Sequence, residues 1–408
     1  AVLALKQCTK KYPMLYYYAA YYEEKMGEDE AAKKSLEKAE SCAFDYCFPN
    51  KLDDIAVLTF AIENGCKKKA PYYLGNLFYD KLQWKKSVEL WEMSEKADDT
   101  FSIVHRNLAL AYYNKMGDSK AAKCELEKAF SLNRKDARIF LELDQLYKKL
   151  GYSFKERLAK YDEDPSLAES RDDLYIEYIT LMNMCGEYER AYRCIMGRRF
   201  HPWEGGEGKI TTQYTISLLE MAKQCLASEK YEQAEKLLKK ALVYPENLGE
   251  GKLEGTKDNH LFYHLGLALE AQGKHDEAKT CFETATIGTD EPAGAMYYND
   301  QPADMILYQG LAFEKLGKTR EAKSRFYRLI DYGEQHLNDE GKIEYFAVSL
   351  PDFLIFDEDY TKKNRAHCCY LMALGNIGLQ NREKAAEFLN EALEIEPSHM
   401  MATLYQKQ

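Results

Sequence analysis

Two short stretches combine residue types that could recognise a ligand. Phe200–Lys209 reads F-H-P-W-E-G-G-E-G-K, and Tyr244–Lys252 reads Y-P-E-N-L-G-E-G-K. Each holds a proline, then G-E-G-K and an aliphatic residue, with the two G-E-G-K copies 43 residues apart. Two further stretches of similar character are Ile287–Pro302 and Tyr332–Tyr360. Across the four, the rings of Trp203, Tyr297, Tyr298, Phe346, Phe353 and Phe356 are interleaved with polar groups. Those groups include His201, Glu204, Glu207, Asn247, Asn299, Asp300, His336 and Asp352. Rings that stack on apolar faces, beside amides and carboxylates that hydrogen-bond at fixed angles, are what a carbohydrate or peptide site requires. The candidate binding set is His201, Trp203, Glu204, Glu207, Lys209, Asn247, Glu250, Lys252, Tyr297, Tyr298, Asn299, Asp300 and Asp352. A structural reading stands beside it. Long loops need aromatic anchors, and Gly205, Gly206, Gly208, Gly249 and Gly251 supply turn conformations barred to other residues.

Other signals carry less. G-G-E-G-K lacks the first glycine and the final Ser/Thr of a phosphate loop, since Trp203 and Ile210 stand there, and its surroundings read as helix rather than strand. His260 and His264 share a helical face at i and i+4, but there is no H-E-x-x-H and no evident third ligand, so packing is the expected role. Cys368 and Cys369 beside His367 could suggest a nucleophile, but Cys369 falls at a helix-core position. No serine-centred elbow or dinucleotide fingerprint appears. No catalytic residue, metal site or cofactor is therefore assigned.

The elements that position these stretches follow a repeat. A small residue, a large one four later and a small one three after that recur, with a glycine about five residues upstream. The copies include Gly27-Ala32-Leu36-Ala39, Gly117-Ala122-Leu126-Ala129, Gly273-Ala278-Phe282-Ala285 and Gly317-Ala322-Phe326-Leu329. Small residues let paired helices approach closely while large ones interlock with the next pair, so one pair cannot bury its apolar face alone. The anchors fall 34 and 35 residues apart from Ala122 to Ala191, then 43 to 44 apart as far as Ala322, and 63 before Ala385. Longer connections thus follow the second helix of each later pair, and insertions at equivalent repeat positions are expected along one edge. Residues 40–70 and Lys155–Asp172 are irregular, and Leu52–Ile62 is expected as a helix of a degenerate repeat. Tyr16, Tyr17, Tyr18, Tyr21 and Tyr22 crowd one predicted helix; groove-lining and boundary packing are equally open for them.

Composition bounds the class. The chain has 408 residues, 46% hydrophobic and 30% charged, with net charge −11. That describes a folded, water-soluble chain, and its scattered cations argue against a nucleic-acid groove. No apolar run approaches a membrane span of about 18 residues. Eleven cysteines include no C-x-x-C, which fits reduced, mostly buried thiols in the cytoplasm. A start at Ala1, already within helical sequence, is expected of a fragment of a longer protein.

The repeat resembles the tetratricopeptide repeat (TPR) family over nearly the whole chain. The match is best at Phe262–Ala285 and Ala385–Pro397, with Tyr72–Tyr79 and His264–Leu269 similar to its first helices. The second half is also similar to the C-terminal array of a bacterial family whose members carry a mutarotase-like β-sandwich of unknown function ahead of the repeats. The stretches that carry this likeness are the two G-E-G-K loops, Tyr297–Asp304 and Tyr345–Leu354. It implies a carbohydrate-related setting and no catalytic residue. The expected fold is all-α, a right-handed TPR-like solenoid of about nine helix pairs, with irregular repeats over 1–170 and decorated repeats over 171–408. The expected function is a non-catalytic scaffold binding a protein domain or peptide, a domain ahead of the repeats included. A glycan-binding or glycoside-processing component, using loop carboxylates such as Glu204, Glu207, Glu250, Asp300 or Asp352, is the alternative.

Overall fold

Short amphipathic runs, each with alanine or glycine on one face and a bulky apolar residue on the other, can only fold as helices that pack in pairs. The computed structural model describes residues 5, 11–201, 203, 205–294, 301–341 and 355–407. Among them the chain is helical, with no strand. Two compact units emerge, residues 1–146 and 147–408.

The first unit holds the hairpin α1 (Pro13–Lys25) and α2 (Asp29–Ser41), a single helix α3 (Leu52–Glu63), and the hairpins α4 (Lys69–Asp80) with α5 (Trp84–Ala97) and α6 (Ser102–Ala111) with α7 (Ser119–Leu132). Helix α6 runs on into a π turn over Tyr112–Met116. Helix α8 (Ala137–Lys149) closes the unit and crosses the division. The second unit continues with α9 (Phe154–Asp162), α10 (Pro165–Glu169) and five hairpins. These are α11 (Asp172–Met184) with α12 (Tyr188–Met196), α13 (Lys209–Ala227) with α14 (Tyr231–Ala241), α15 (Asn259–Ala271) with α16 (His275–Ala285), α17 (Met305–Lys315) with α18 (Thr319–His336), and α19 (Tyr360–Gly378) with α20 (Arg382–Ile395). A short helix α21 (Met400–Gln406) follows.

The hairpins close where a ring on the second helix meets a bare backbone on the first. A Cβ added to Gly75 would lie 2.5 Å from Trp91, one on Gly266 2.5 Å from Phe282, and one on Gly310 2.3 Å from Phe326. In all three the glycine precedes its ring by the same interval in sequence. Phe326 is fully buried and also meets Gly378 of the next pair, where a Cβ would stand 2.1 Å from the ring.

The turn inside each hairpin is equally regular. The N–H after the turn residue bonds back to the fifth residue before it, as from Glu187 to Met182 (2.9 Å), Lys274 to Leu269 (3.0 Å) and Lys318 to Phe313 (2.8 Å), except after the π turn, where Asp118 reaches the sixth, Tyr112 (2.9 Å). This helix-terminating motif needs positive φ, which Gly117, Gly186, Gly273 and Gly317 supply at +69° to +85°. Leu82, Glu229 and Gln380 hold the same place at +61°, +58° and +59° without being glycine.

The tyrosines of α1 are largely absorbed by packing. Tyr17 is fully buried and donates to Glu40 (2.5 Å), whose carboxylate also accepts the Lys69 and Ala70 N–H groups at the start of α4, each at 3.2 Å. Tyr18 donates to Asp54 of α3 (2.7 Å), and Tyr21 meets Phe60 of α3 edge to face. The degenerate stretch is thus a full helix that covers this face.

In the second unit each first helix packs on the first helix of the following pair, whereas the second helices lie further apart. The first helices α11, α13, α15, α17 and α19 therefore line the inner side of the curve.

The turns yield a prediction. Glu229→Gly and Gln380→Gly should each stabilise the chain by about 1 kcal/mol, because a side chain in the left-handed region costs that much. Urea unfolding of each variant checks it, and an unchanged or lowered midpoint contradicts it.

Candidate functional site

The four decorated stretches lie between hairpins, where the end of each second helix leaves carbonyls without partners. Loop side chains meet that need. Asn247 donates from Nδ2 to the carbonyls of Ile195 (2.8 Å) and Arg198 (2.9 Å) at the end of α12, while its own carbonyl accepts the Phe200 N–H (2.8 Å). Lys252 donates to the Leu242 carbonyl (3.1 Å) after α14 and pairs with Asp258 (2.6 Å). Asn259 serves Ala285 and Ile287 after α16, and Asn364 serves His336 after α18.

The first two loops are brought together. Glu250 accepts the Gly208 N–H (2.8 Å), and burial together with nearby Glu207 raises its carboxyl above the usual range. Glu207 itself accepts the Gly205 N–H (2.8 Å). Trp203 lies flat on Gly206, where a Cβ would come 2.2 Å from the indole, and Lys209 stands 5.9 Å from the ring centre. His201 is the open member, with its side chain 78% exposed and its ring 3.2 Å from Asp172. Glu204, Tyr297, Tyr298, Asn299, Asp300 and Asp352 lie outside the described residues, as do Phe346 and Phe353. The fourth stretch begins later than expected, because Tyr332 and His336 belong to α18, where their ring centres lie 4.4 Å apart at a 38° tilt. Phe356 is buried.

The other motifs resolve simply. His264 bonds through Nδ1 to the His260 carbonyl (2.7 Å), so the two rings do not converge, and burial lowers both to about 3. Cys368 and Cys369 are buried, and desolvation pushes the thiols up to about 11 and 12, leaving them protonated.

Two groups escaped the sequence reading because nothing in their local pattern marks them. In the first unit, His105 is buried, with Nε2 2.8 Å from the Asp99 carbonyl and Nδ1 2.6 Å from Glu125; Glu95 stands 3.8 Å away. A carbonyl and a carboxylate can only accept, so both nitrogens donate and the ring is an imidazolium clamp. Burial opposes the charge, but the carboxylates win and its pKa is raised.

The second group runs along the inner side of the second unit. Asn183 of α11 donates to the carbonyl and side chain of Gln213 on α13, and Ser217 donates back to Asn183 (2.8 Å). Further on, Glu220 pairs with Lys223 (2.7 Å). Beyond these lie His264, Tyr308 of α17, Asp304 just before it, and Tyr370 of α19, whose hydroxyl is 3.5 Å from the Asp304 carboxylate. Tyr308 in turn accepts a bond from Tyr405 of α21 (2.8 Å). This row of amides, hydroxyls and rings spans five helices and offers hydrogen bonds with aromatic faces, but no nucleophile paired with a base.

Sequence models of the tetratricopeptide repeat match residues 260–286 and 366–399, and another matches 304–332. These are the pairs α15/α16, α19/α20 and α17/α18. The chain carries tetratricopeptide repeats at these positions, and its described residues are all-α, folded as stacked helix pairs within each unit. Among solved structures it is similar to a tetratricopeptide repeat protein from Parabacteroides merdae, at 14% identity over 68% of this chain and 93% of that one, TM-score 0.32. It is similar to YrrB, described as a TPR protein with an unusual peptide-binding site, at 18% identity over 63% and 100%, TM-score 0.22. It is also similar to a chain in the structure of Naa15/Naa10 bound to HypK-THB, at 12% identity over 97% and 60%, TM-score 0.36. Among the described residues no helix is long and apolar enough to cross a membrane.

These contacts make two predictions. Asn247→Ala should destabilise the chain by about 1–2 kcal/mol in urea, because it strips two carbonyls of their donors; a residue serving only a ligand would leave stability unchanged. Asp304 is buried, which raises its carboxyl to about 6 despite Tyr370 and Lys223. The folded state therefore holds this proton more tightly than the unfolded chain, whose carboxyl titrates at about 4. Stability from this group is greatest below pH 4 and is lost as pH climbs to 6. Asp304→Asn should match wild type in melting temperature at pH 4 and exceed it at pH 7.

Proposed function

We propose that the chain is a non-catalytic scaffold that binds a protein segment along the inner side of the second unit. Tetratricopeptide repeat proteins are generally protein-binding scaffolds, and one observation favours this face. The row from Asn183 to Tyr370 crosses the five successive first helices, on the side where a long, narrow partner would touch all of them, with hydrogen-bonding groups and rings of the kind such a partner contacts.

The loop carboxylates favour the glycoside-processing alternative less. Of the five considered, Glu207 and Glu250 are described, and each accepts a backbone N–H of the loop. The decorated loops remain a second contact surface in this proposal through His201 and Trp203, with Asn247, Glu250 and Lys252 engaged in holding the loops and helix ends.

Selection of displayed peptides on the immobilised chain tests the reading. Enriched peptides should bind with affinity that drops at least tenfold in Lys223→Ala and Tyr308→Phe while Trp203→Ala leaves it unchanged. Loss in Trp203→Ala alone would move the site to the loops, and failure to enrich any peptide would overturn the scaffold reading.

A further inference from the structure

One imidazole in the first unit faces more carboxylate than a single ion pair explains. His105 lies on α6, Glu95 near the end of α5 and Glu125 on α7, so three helices of two successive hairpins each send a side chain to one place. One nitrogen of His105 and one oxygen of each carboxylate all fall within 4.8 Å of one another. Glu125 accepts the Nδ1–H at 2.6 Å. Glu95 stops 3.8 Å from the same nitrogen and makes no hydrogen bond among the described residues. Burial and the Glu125 charge raise its carboxyl above the ordinary range. The bond to Glu125 accounts for the charge on His105. It does not account for a second carboxylate turned to the same nitrogen, repelled by the first and gaining no bond.

The far side of the ring is already fixed. Nε2 donates to the Asp99 carbonyl at 2.8 Å, and His105 is only 2% exposed, so the ring cannot turn without losing that bond. Such a bond on the outer nitrogen is the usual companion of a metal-bound histidine, because it sets the tautomer and leaves the inner lone pair for the ion. Water reaches the two carboxylates, whose side chains are 29% and 17% exposed. A third acid stands behind them. Glu92, one turn before Glu95, accepts the Tyr112 hydroxyl at 2.9 Å, and Tyr112 opens the π turn two turns beyond His105. Lys96 and the Asp99–Lys128 pair are the other charges nearby.

We propose that His105, Glu95 and Glu125 bind a divalent transition-metal ion of the zinc type, which joins α5 to the hairpin α6/α7. A neutral imidazole and two carboxylates cancel the charge of the ion, and a nitrogen donor suits Zn2+ or Co2+ better than Ca2+ or Mg2+, which take oxygen shells. Ligands at about 2.0–2.1 Å in a tetrahedron lie about 3.3 Å apart. Glu125 therefore draws back from Nδ1, and Glu95 closes on it, each by less than about 1 Å. Water from the exposed side completes the shell. The ion takes the place of the Nδ1 proton, which leaves to solvent, so the imidazolium clamp is the metal-free state of the same site. Binding of this kind stabilises the first unit, since the three ligands come together only in the folded chain. The site is independent of the scaffold reading, which concerns the second unit.

The test is titration of the full chain with Co2+ at neutral pH, after EDTA treatment and alkylation of accessible thiols, read by visible absorption. Wild type should take up one ion per chain, with the strong visible bands of a tetrahedral site, no thiolate charge-transfer band and release of about one proton. Glu95→Gln breaks no hydrogen bond and should weaken the ion about tenfold or more, while His105→Ala should abolish uptake. If His105→Ala loses its helical circular dichroism, Glu125→Gln is used in its place, again with a loss of about tenfold or more. Zn2+ should raise the melting temperature of wild type more than that of Glu95→Gln. Absence of saturable uptake, a thiolate band, or equal affinity in wild type and folded Glu95→Gln overturns the proposal and leaves the clamp alone.

Discussion

Close approach of helices is the constraint from which the structure follows. Phe326 is the clearest case: its ring lies between Gly310 of its own hairpin and Gly378 of the next, and neither position has room for a methyl group. Packing of this kind leaves a buried aromatic with dispersion contacts on both faces, and it fixes the distance between pairs to within the thickness of a ring. The same device recurs with Trp91 on Gly75 and Phe282 on Gly266. Each pair is completed only by its neighbour, and the spacing it sets makes the first helices an inner wall.

Two kinds of polar group then have different tasks. Those at the ends of the second helices restore hydrogen bonds that helix termini lack, and Asn247, Lys252, Asn259 and Asn364 share this role across successive hairpins. Of the G-E-G-K copies, Glu250 ties the second loop to the first through the Gly208 N–H, whereas Lys252 serves Leu242 and Asp258 of its own loop. Those on the inner side bridge from helix to helix instead. Glu220, Lys223, Asp304 and the tyrosines around them are held largely away from water, and that burial is what raises the Asp304 carboxyl. A face of this composition without a covering helix would expose several apolar groups, and α21 covers it.

The two units differ in how they close. In the first, an extra helix, α3, takes up the tyrosine-rich side of α1, so that a face resembling a binding groove in sequence is an internal contact. In the second, the covering element is the short α21, attached by one turn and reaching back to α11 and α13, far earlier in the chain.

The sequence by itself determined the repeat. Glycine and alanine at fixed offsets from a large residue are enough to require paired helices, because close packing leaves no other use for them, and positive-φ glycines mark most of the turns, though not those at Leu82, Glu229 and Gln380. It also marked the decorated loops, whose aromatic and acidic character is plain in Phe200–Lys209. What those residues bond to was not legible. Asn247 reads equally as a ligand donor or a helix cap, and only the position of the Ile195 and Arg198 carbonyls decides it. The inner row was invisible for a related reason. Asn183, Lys223, Asp304, Tyr308 and Tyr370 are scattered across four separate hairpins with no local pattern, and only the curvature of stacked pairs brings them to one side. Met400–Lys407 likewise reads as one more short helix. Its docking depends on the diameter of the curve, a sum of many small rotations between pairs that no single stretch of sequence encodes.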